Sequence, residues 1–282
     1  MTSVRLKTME IKRCTFENEA ELLQLVDLQN EVYQKRGLHF TKDIFRYWYL
    51  ENPEGKVISY NAFEKGRMVA HQSFVPERML VDGHITKCVR SMAVVTHPYY
   101  RGKGLLSQLT NAALEDVKNE GYAFAYAVTN GNSVSSFVNH CGFSFVTRLH
   151  VKMGFGMRIT VNEDKTYRRF WSKDSLNWRL RNGKYSFSDD VIIGNFKPGV
   201  NTIMGMMDPS LMDAAEFHIK KVPCGINLYV GLGAHLPWSY WDVPKFIKHS
   251  PFNLVFRDLT DGTLPVMTKD NVFYQLIDFD VA

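Results

Sequence analysis

Arg101-Gly102-Lys103-Gly104-Leu105-Leu106 lies between a strand-like run at 89–97 and an amphipathic, helix-like run at 105–119. A loop in this position presents unpaired backbone N–H groups at the start of a helix, where an anion is favoured. The two glycines let the backbone approach a ligand closely, and the Arg and Lys add positive charge. The stretch therefore predicts a pyrophosphate cradle, although the loop by itself also fits an ordinary strand–turn–helix corner with solvated basic residues.

The loop differs from the two common nucleotide-binding loops. It has neither the Gly-Lys-Ser/Thr ending of a P-loop nor the three glycines of the dinucleotide fingerprint. Together with its flanks at 94–100, 130–133 and 141–143, it resembles the GNAT acyltransferase superfamily. That family's loop reads Arg or Gln, any two residues, Gly, any residue, then Gly or Ala, so Leu106 departs from the pattern. The resemblance covers about residues 60–150, and it implies that the anion is the pyrophosphate of acetyl-CoA or another short acyl-CoA.

Length, composition and charge exclude several classes of protein. A chain of 282 residues with 45% apolar and 22% charged residues is typical of a globular protein with one large or two smaller domains. The net charge of +5 is modest, and its densest groups, Arg168-Arg169 and Lys220-Lys221, are pairs, so no nucleic-acid partner is predicted. No signal peptide and no run of about 18 apolar residues is present, so neither secretion nor a membrane span is predicted.

The cysteines are far apart and form no metal-ligand or disulfide pattern. The sequence therefore predicts no metal site and reduced thiols in a cytoplasmic protein. The four positions are Cys14, Cys88, Cys141 and Cys224.

Periodicity and turn residues predict a mixed, α+β chain. Helical spacing covers Glu19–Tyr33 and, after a Thr41 cap, residues 42–50, and a further helix follows the loop at 105–119. The remaining segments predicted before residue 155 are strands at 57–63, 68–75, 79–81, 84–95, 122–128 and 143–151 and a short helix at 133–140. This order resembles the GNAT fold, with a central mixed, mostly antiparallel sheet flanked by helices.

The segment Thr41 to Pro53 is echoed by Ser172 to Gly183, with a Trp-x-Leu-x-Asn core in each. A match this short also arises by chance. As a true repeat, it predicts a GNAT acyl-CoA-binding domain at 1–155 and a degenerate GNAT-like domain at 156–282. The second half has no equivalent of the cradle, so we expect it to help enclose the acceptor. Its predicted strands are 185–187, 191–196, 202–207, 226–232, 254–257 and 272–278.

The resemblance extends to the cofactor arm. In GNAT enzymes the strand before the cradle separates from its neighbour and offers its backbone to the pantetheine. The corresponding residues are Ala93, Val94 and Val95, which also suit a plain buried strand. Asn130 and Asn132, after the next strand, are further cofactor-binding candidates, and both also suit a turn or a helix cap.

The family's usual general base and acid are missing. Many members place Glu or His eleven residues before the loop, where this chain has Arg90, which cannot accept a proton. The helix before Gly-Phe has Phe137 and Val138 where a Tyr acid often lies. His71 on one strand and Tyr126 on another are the local candidates for base and acid, although each also suits a structural role in the core.

The resemblance to GNAT enzymes implies an acyl-CoA-dependent N-acyltransferase. The looser resemblance to two-domain enzymes that acylate sugars implies a dTDP- or UDP-linked amino sugar as acceptor, with Arg90, Trp178 and Trp238 binding it. Buried core aromatics are the alternative for both tryptophans. Another small-molecule or protein amine, an aminoacyl-tRNA-dependent transferase and a non-catalytic acyl-CoA-binding module stay open. The prediction allows a homodimer.

Overall fold

The structure is a computed structural model that describes residues 9–161, 164–181, 185–188, 190–197, 199–211, 225–244, 247 and 250–279. Cys224, Lys220-Lys221 and the Asn182-Gly183 end of the sequence echo lie outside the described residues.

Seventeen strands and five α-helices are described. The strands are β1 Glu10–Cys14, β2 Ile58–Glu64, β3 Arg67–Val81, β4 His84–Thr96, β5 Phe124–Thr129, β6 Ser144–Arg148, β7 His150–Gly154, β8 Thr160–Val161, β9 Tyr167–Arg169, β10 Tyr185–Ser188, β11 Val191–Lys197, β12 Val200–Met206, β13 Ile226–Leu232, β14 Ala234–His235, β15 Tyr240–Asp242, β16 Asn253–Asp258 and β17 Val272–Gln275. The helices are α1 Glu19–Tyr33, α2 Lys42–Tyr49, α3 Leu105–Asn119, α4 Val134–His140 and α5 Lys173–Arg181.

Fifteen of the strands form one sheet. Its main path runs β10-β11-β12-β13-β17-β9-β3-β4-β5-β16-β6. Off this path, β2 pairs with β3 and β1 with β2, and β7 pairs with β13 and β15 with β7. Most pairs are antiparallel, and the parallel ones are β4 with β5, β12 with β13 and β9 with β17. The predicted α+β architecture with a mixed, mostly antiparallel sheet is confirmed. Among the described helices, none has the length and apolar character needed to cross a bilayer.

Several strand predictions were wrong in their boundaries. The predicted strand at 272–278 ends at Gln275, and Leu276–Asp278 form a short 3-10 helix. The segments 68–75 and 79–81 form one strand, because β3 keeps its pairing with β4 on both sides of Pro76, from Val75–Arg90 to Glu77–Cys88. The segment 143–151 forms two strands instead of one. The first, β6, pairs with β16, whereas β7 pairs with β13 and β15.

Strand β16 lies between β5 and β6, although it follows them by more than a hundred residues in the chain. A strand from beyond residue 155 thus completes the sheet that carries the N-terminal elements. The division into domains at 1–155 and 156–282 stays a prediction.

Helix α3 lies against β2 and β3, with its apolar face turned to the sheet. The buried apolar positions follow a helical period, because residues three and four apart share a face. They are Leu105, Leu109, Ala113, Leu114 and Val117, and Thr110 is buried with them. This packing fixes the start of the helix, and with it the glycine loop, at the end of β4.

Candidate active site

A cavity of about 920 Å³ opens where β4 and β5 separate. The parallel pairing of these strands ends at Arg90 and Tyr126. Beyond that point, residues 91–96 of β4 and 127–129 of β5 face each other across the cavity. The edge of β4 that faces β5 is therefore open to a ligand.

A β-bulge shapes β4 inside the cavity. The register against β3 shifts between His71–Val95 and Ser73–Met92, and Ala93 has a φ of 54°, in the left-handed region. Helix α1 holds this bulge through two side chains. Gln29 donates from Nε2 to the Ala93 carbonyl at 2.7 Å, and the Tyr33 hydroxyl donates to the Val94 carbonyl at 3.3 Å.

The start of α3 borders the same cavity. Gly104 is the N-cap with a φ of 70°, and Gly102 has a φ of 73°, both conformations that favour glycine. No side chain caps the helix, and its first turn has no acidic residue. Within the part of the chain that the structure describes, the backbone N–H groups from Gly102 to Ser107 have no acceptor. Six consecutive donors at the positive end of a helix dipole suit an anion.

The two basic residues of the loop take different positions. Arg101 lines the cavity, and its Nε donates to the Thr96 carbonyl at 3.2 Å. Lys103 is not among the lining residues, and its Nζ lies 5.0 Å and 4.8 Å from the ring centroids of Tyr99 and Tyr100. The two aromatic rings hold this ammonium group beside the loop, where it adds to the positive potential.

The other predicted cofactor residues also line the cavity, including Val94, Val95, Leu105 and Leu106. Asn130 forms a turn, because its Oδ1 accepts the backbone N–H groups of Asn132 at 2.9 Å and Ser133 at 3.1 Å. Asn130 and Asn132 thereby close the cavity at the end of β5, with the start of α4 behind them.

His71 lies in the core, outside the cavity lining, and is 1% exposed. Its Nδ1 donates to Asn61 Oδ1 at 2.6 Å, and its Nε2 accepts from the Tyr49 hydroxyl at 2.9 Å. This tautomer follows from Asn61, whose Nδ2 donates to Ser59, so that its oxygen faces the imidazole. Burial lowers the pKa of His71 to about 3. Both nitrogens are occupied, so His71 has no route to a substrate amine.

Tyr126 is also sequestered. It is fully buried, it does not line the cavity, and its hydroxyl donates to Glu77 Oε2. Burial, with the neighbouring Glu77 carboxylate adding to it, raises the pKa of Tyr126 well above its ordinary value. The phenol is therefore a structural donor to a buried carboxylate, and its position does not support the predicted role as the acid that protonates a thiolate.

Arg90 and the two tryptophans were predicted to bind the acceptor, and the structure separates them. Arg90 lines the cavity. Trp178 packs in the core beside α2, stacked on Tyr47 at a centroid distance of 4.8 Å. Trp238 is 98% exposed and outside the cavity. Neither tryptophan borders the space that an acceptor would enter.

The sequence did not predict the part of the cavity wall that α1, α2 and the C-terminal segment contribute. Gln29 could have been identified from the sequence, because a glutamine on the apolar stripe of a helix needs a polar partner inside the protein. The apolar members carry no comparable signal. They are Leu38, Phe40, Ile44, Phe45 and Phe279.

Comparisons with known proteins agree with this geometry. Residues 14–145 match the family model of the acetyltransferase (GNAT) domain. Residues 14–145 are therefore a GNAT acetyltransferase domain. None of the curated proteins matches the chain.

Solved structures share the fold over most of the chain. A conserved protein from Enterococcus faecalis V583 is 13% identical, with a TM-score of 0.61 over 90% of this chain and 73% of its own. A GCN5-related N-acetyltransferase from Kribbella flavida is 11% identical, with a TM-score of 0.57 over 90% and 72%. Eis1 from Mycobacterium abscessus is 11% identical, with a TM-score of 0.56 over 89% and 74%. At these identities the likeness shows the fold.

Proposed function

We propose that this protein transfers an acetyl or other short acyl group from acyl-CoA to an amine. The observation that carries the proposal is the meeting of two features in one cavity. The open, bulged edge of β4 lies beside the uncapped start of α3, with Arg101 between them. A pyrophosphate at the helix and an extended amide-bearing arm along the strand are the two parts that CoA presents.

Each part of the donor has residues that suit it. The free N–H groups from Gly102 to Ser107 would take the pyrophosphate, and Arg101 and Lys103 would add positive charge around it. The amides of the pantetheine arm would pair with the open edge of β4, as an added strand does at a sheet edge. The thioester would then reach the bulge at Ala93, where Gln29 and Tyr33 hold the backbone.

The chemistry requires the removal of a proton from the amine. Transfer from a thioester to an amine forms a C–N bond, breaks a C–S bond and leaves a thiolate that takes up a proton. Among the described residues that line the cavity, none carries a carboxylate. His71 and Tyr126 lie outside the cavity, and the one histidine of the described lining, His140, is the last residue of α4. We propose that the amine enters uncharged and that water carries the proton.

Positioning is large enough to support turnover without a dedicated base. Holding the amine against the thioester contributes about 7–11 kcal/mol. A positioned base adds a factor of about 10²–10⁴, or about 3–5 kcal/mol. An enzyme of this design should therefore be slow at low pH, where the amine is protonated, and should gain rate with pH.

The acceptor is the finer part of the proposal. A nucleotide-linked amino sugar, an acceptor for surface polysaccharide synthesis, stays a prediction, as does a homodimer. The positions of Trp178 in the core and Trp238 outside the cavity remove the stacking contacts that were expected to favour it. The cavity walls themselves favour a different kind of acceptor.

The test is acyl transfer itself. Purified protein is incubated with acetyl-CoA and a panel of amines that includes amino acids, amino sugars, nucleotide-linked amino sugars, aminoglycosides and peptides, and free thiol is measured. We expect amine-dependent thiol release with at least one class. Tight CoA binding without release on any class would contradict the enzyme and favour a non-catalytic acyl-CoA-binding module.

A further inference from the structure

A buried ionic cluster with unequal charges lies under the cavity. Arg90 donates from Nε to Glu77 Oε1 at 2.8 Å, and Arg169 Nη1 lies 3.0 Å from Glu77 Oε2. All three side chains are buried. Two guanidinium groups thus share one carboxylate, and a buried charge without a counter-charge is costly.

A second buried acid does not restore the balance. Asp278 accepts from Trp171 Nε1 at 3.1 Å and from the Gln275 N–H at 2.7 Å. Burial raises the pKa of Asp278 to about 7. With its pKa raised, this carboxyl group offsets less positive charge at neutral pH than an ordinary aspartate would, and two guanidinium groups still share the Glu77 carboxylate.

The excess charge is presented to the cavity by Arg90. Its side chain is 4% exposed and lines the cavity, and its guanidinium lies 5.5 Å from the Trp48 ring centroid, which holds it in place. Only Nε is engaged. Among the described residues, the two terminal amino groups of Arg90 have no hydrogen-bond acceptor. A nearly buried guanidinium therefore offers a pair of unused donors to whatever enters the cavity.

The surroundings of Arg90 define the kind of group it would receive. No carboxylate lines the described cavity to compete for it. The wall contributed by α2, the segment before it and the C-terminal segment is apolar, with Leu38, Phe40, Ile44, Phe45 and Phe279. The paired terminal donors of a guanidinium match the two oxygens of a carboxylate. The loop at the other side of the cavity has its own anion site.

We infer that the acceptor is an amine that also carries a carboxylate and an apolar body. Arg90 binds the carboxylate, and the apolar wall that includes Phe45 and Phe279 covers the apolar body. Amino acids with apolar side chains have this chemistry. The inference rests on the proposed acyltransferase function, and it makes Arg90 the residue that determines specificity for the acceptor.

Binding of simple probes tests the inference without turnover. Titration calorimetry on the full-length protein saturated with CoA compares 3-phenylpropionate, its uncharged amide and phenyl phosphate. We expect the carboxylate to bind about ten- to a hundred-fold more tightly than the amide, the range of a hydrogen bond to a charged group. Equal binding of carboxylate and amide, tighter binding of the phosphate, or no binding of any probe would overturn the inference.

Matched variants assign the effect to Arg90. Arg90→Met should abolish the preference for the carboxylate, whereas Arg169→Met should keep it, because both arginines pair with Glu77 but only Arg90 lines the cavity. If the role of Arg90 were purely structural, Arg90→Met and Arg169→Met would change the preference for the carboxylate to the same extent. If Arg90→Met does not fold, Arg90→Lys keeps the positive charge but lacks the paired donors of the guanidinium. It should reduce the preference for the carboxylate over the amide several-fold, and an unchanged preference would overturn the inference.

Turnover then separates failure of the inference from failure of the proposed function. With acetyl-CoA as donor, kcat/KM for an apolar amino acid should exceed that for its amide, and Arg90→Met should remove the difference. Faster transfer to the amide would overturn the acceptor while leaving the enzyme intact. Absence of CoA binding would contradict the proposed function itself.

Discussion

His71 shows how a titratable group on a strand can be unavailable for catalysis. The sequence places it with an alternation of apolar residues around it, which fits both a base near a cleft and a core histidine. The structure surrounds it with Asn61, Ser59 and Tyr49, so that both ring nitrogens are used inside the protein. The His71 side chain should therefore affect the free energy of unfolding and have no direct part in catalysis.

Replacing His71 with Gln tests this role through the pH dependence of folding. The unfolded histidine takes up a proton below about pH 6.5, whereas the folded one, with a pKa of about 3, does not. The free energy of unfolding therefore falls as pH falls through this window. Urea titrations should show that the difference between the parent and H71Q grows by about 2 kcal/mol from about pH 5 to about pH 6.5.

Asp278 gives the opposite sign over a similar range. Its folded pKa of about 7 lies above the unfolded value, so its contribution is present at low pH and is lost as pH rises. The comparison of parent and variant removes this background. A difference between the parent and H71Q that does not change with pH would contradict the assignment.

Among the elements, β4 and α3 carry the site, and they differ in how far the sequence reveals them. The glycines of the loop and the apolar period of α3 were sufficient to predict a glycine turn followed by a helix, because both are local signals, and the structure has both; the cradle itself stays a prediction. The bulge at Ala93 could not be predicted from the sequence, because it depends on how β4 pairs with β3. The support from Gln29 and Tyr33 depends on how α1 packs against that bulge.

The glycine at the start of α3 is expected to matter for the ligand more than for the fold. Gly104→Ala and Gly121→Ala place a methyl group at φ values of 70° and 80° at opposite ends of the helix. Each should reduce the free energy of unfolding by about 1–2 kcal/mol, because left-handed backbone is costly for alanine. Calorimetry should show at least a ten-fold weaker affinity for CoA in Gly104→Ala alone. Equal CoA affinities in the two variants would contradict the cradle.

The link from α1 to the bulge has a matched control on the same helix. Gln29 donates to the Ala93 carbonyl. Gln24 lies outside the cavity lining, and its Oε1 accepts the Met68 N–H at an N···O distance of 2.8 Å. Replacing either with Leu should cost about 1–3 kcal/mol by leaving a backbone group without its partner. Steady-state kinetics should show a raised KM for acetyl-CoA in Gln29→Leu only. A similar rise in Gln24→Leu would mean that the bulge is not specifically involved.

At the scale of the whole molecule, the sheet joins distant parts of the sequence. The sequence predicts a strand at 254–257. It does not predict that this strand lies between β5 and β6, because no local pattern specifies a partner strand so far away in the chain. The same limit applies to the cavity wall at Phe279. Local sequence signals thus led to the proposed donor site, whereas the acceptor side depends on long-range packing.

Phe256→Ala tests whether this sheet unfolds as one unit. The Phe256 ring is buried on β16, 5.2 Å from the ring centroid of Phe124 and 5.6 Å from that of Tyr167. Its loss should lower the free energy of unfolding by about 3–5 kcal/mol and shift a single transition seen by fluorescence and circular dichroism. Phe145→Ala, at a half-exposed position on the neighbouring β6, should change stability by about 0.5 kcal/mol or less. Two separate transitions in Phe256→Ala would contradict a single cooperative sheet.

The loop at 101–106 is proposed to bind the pyrophosphate of an acyl-CoA donor. The most direct measurement is calorimetric binding of CoA and of pantetheine, which lacks the pyrophosphate, to the parent protein and to Arg101→Ala. We predict that CoA binds far more tightly than pantetheine, that Arg101→Ala weakens CoA binding about ten-fold and more at low salt than at high salt, and that it leaves pantetheine unchanged. Equal affinities of the parent for CoA and pantetheine, or an equal effect of Arg101→Ala on both, would contradict it.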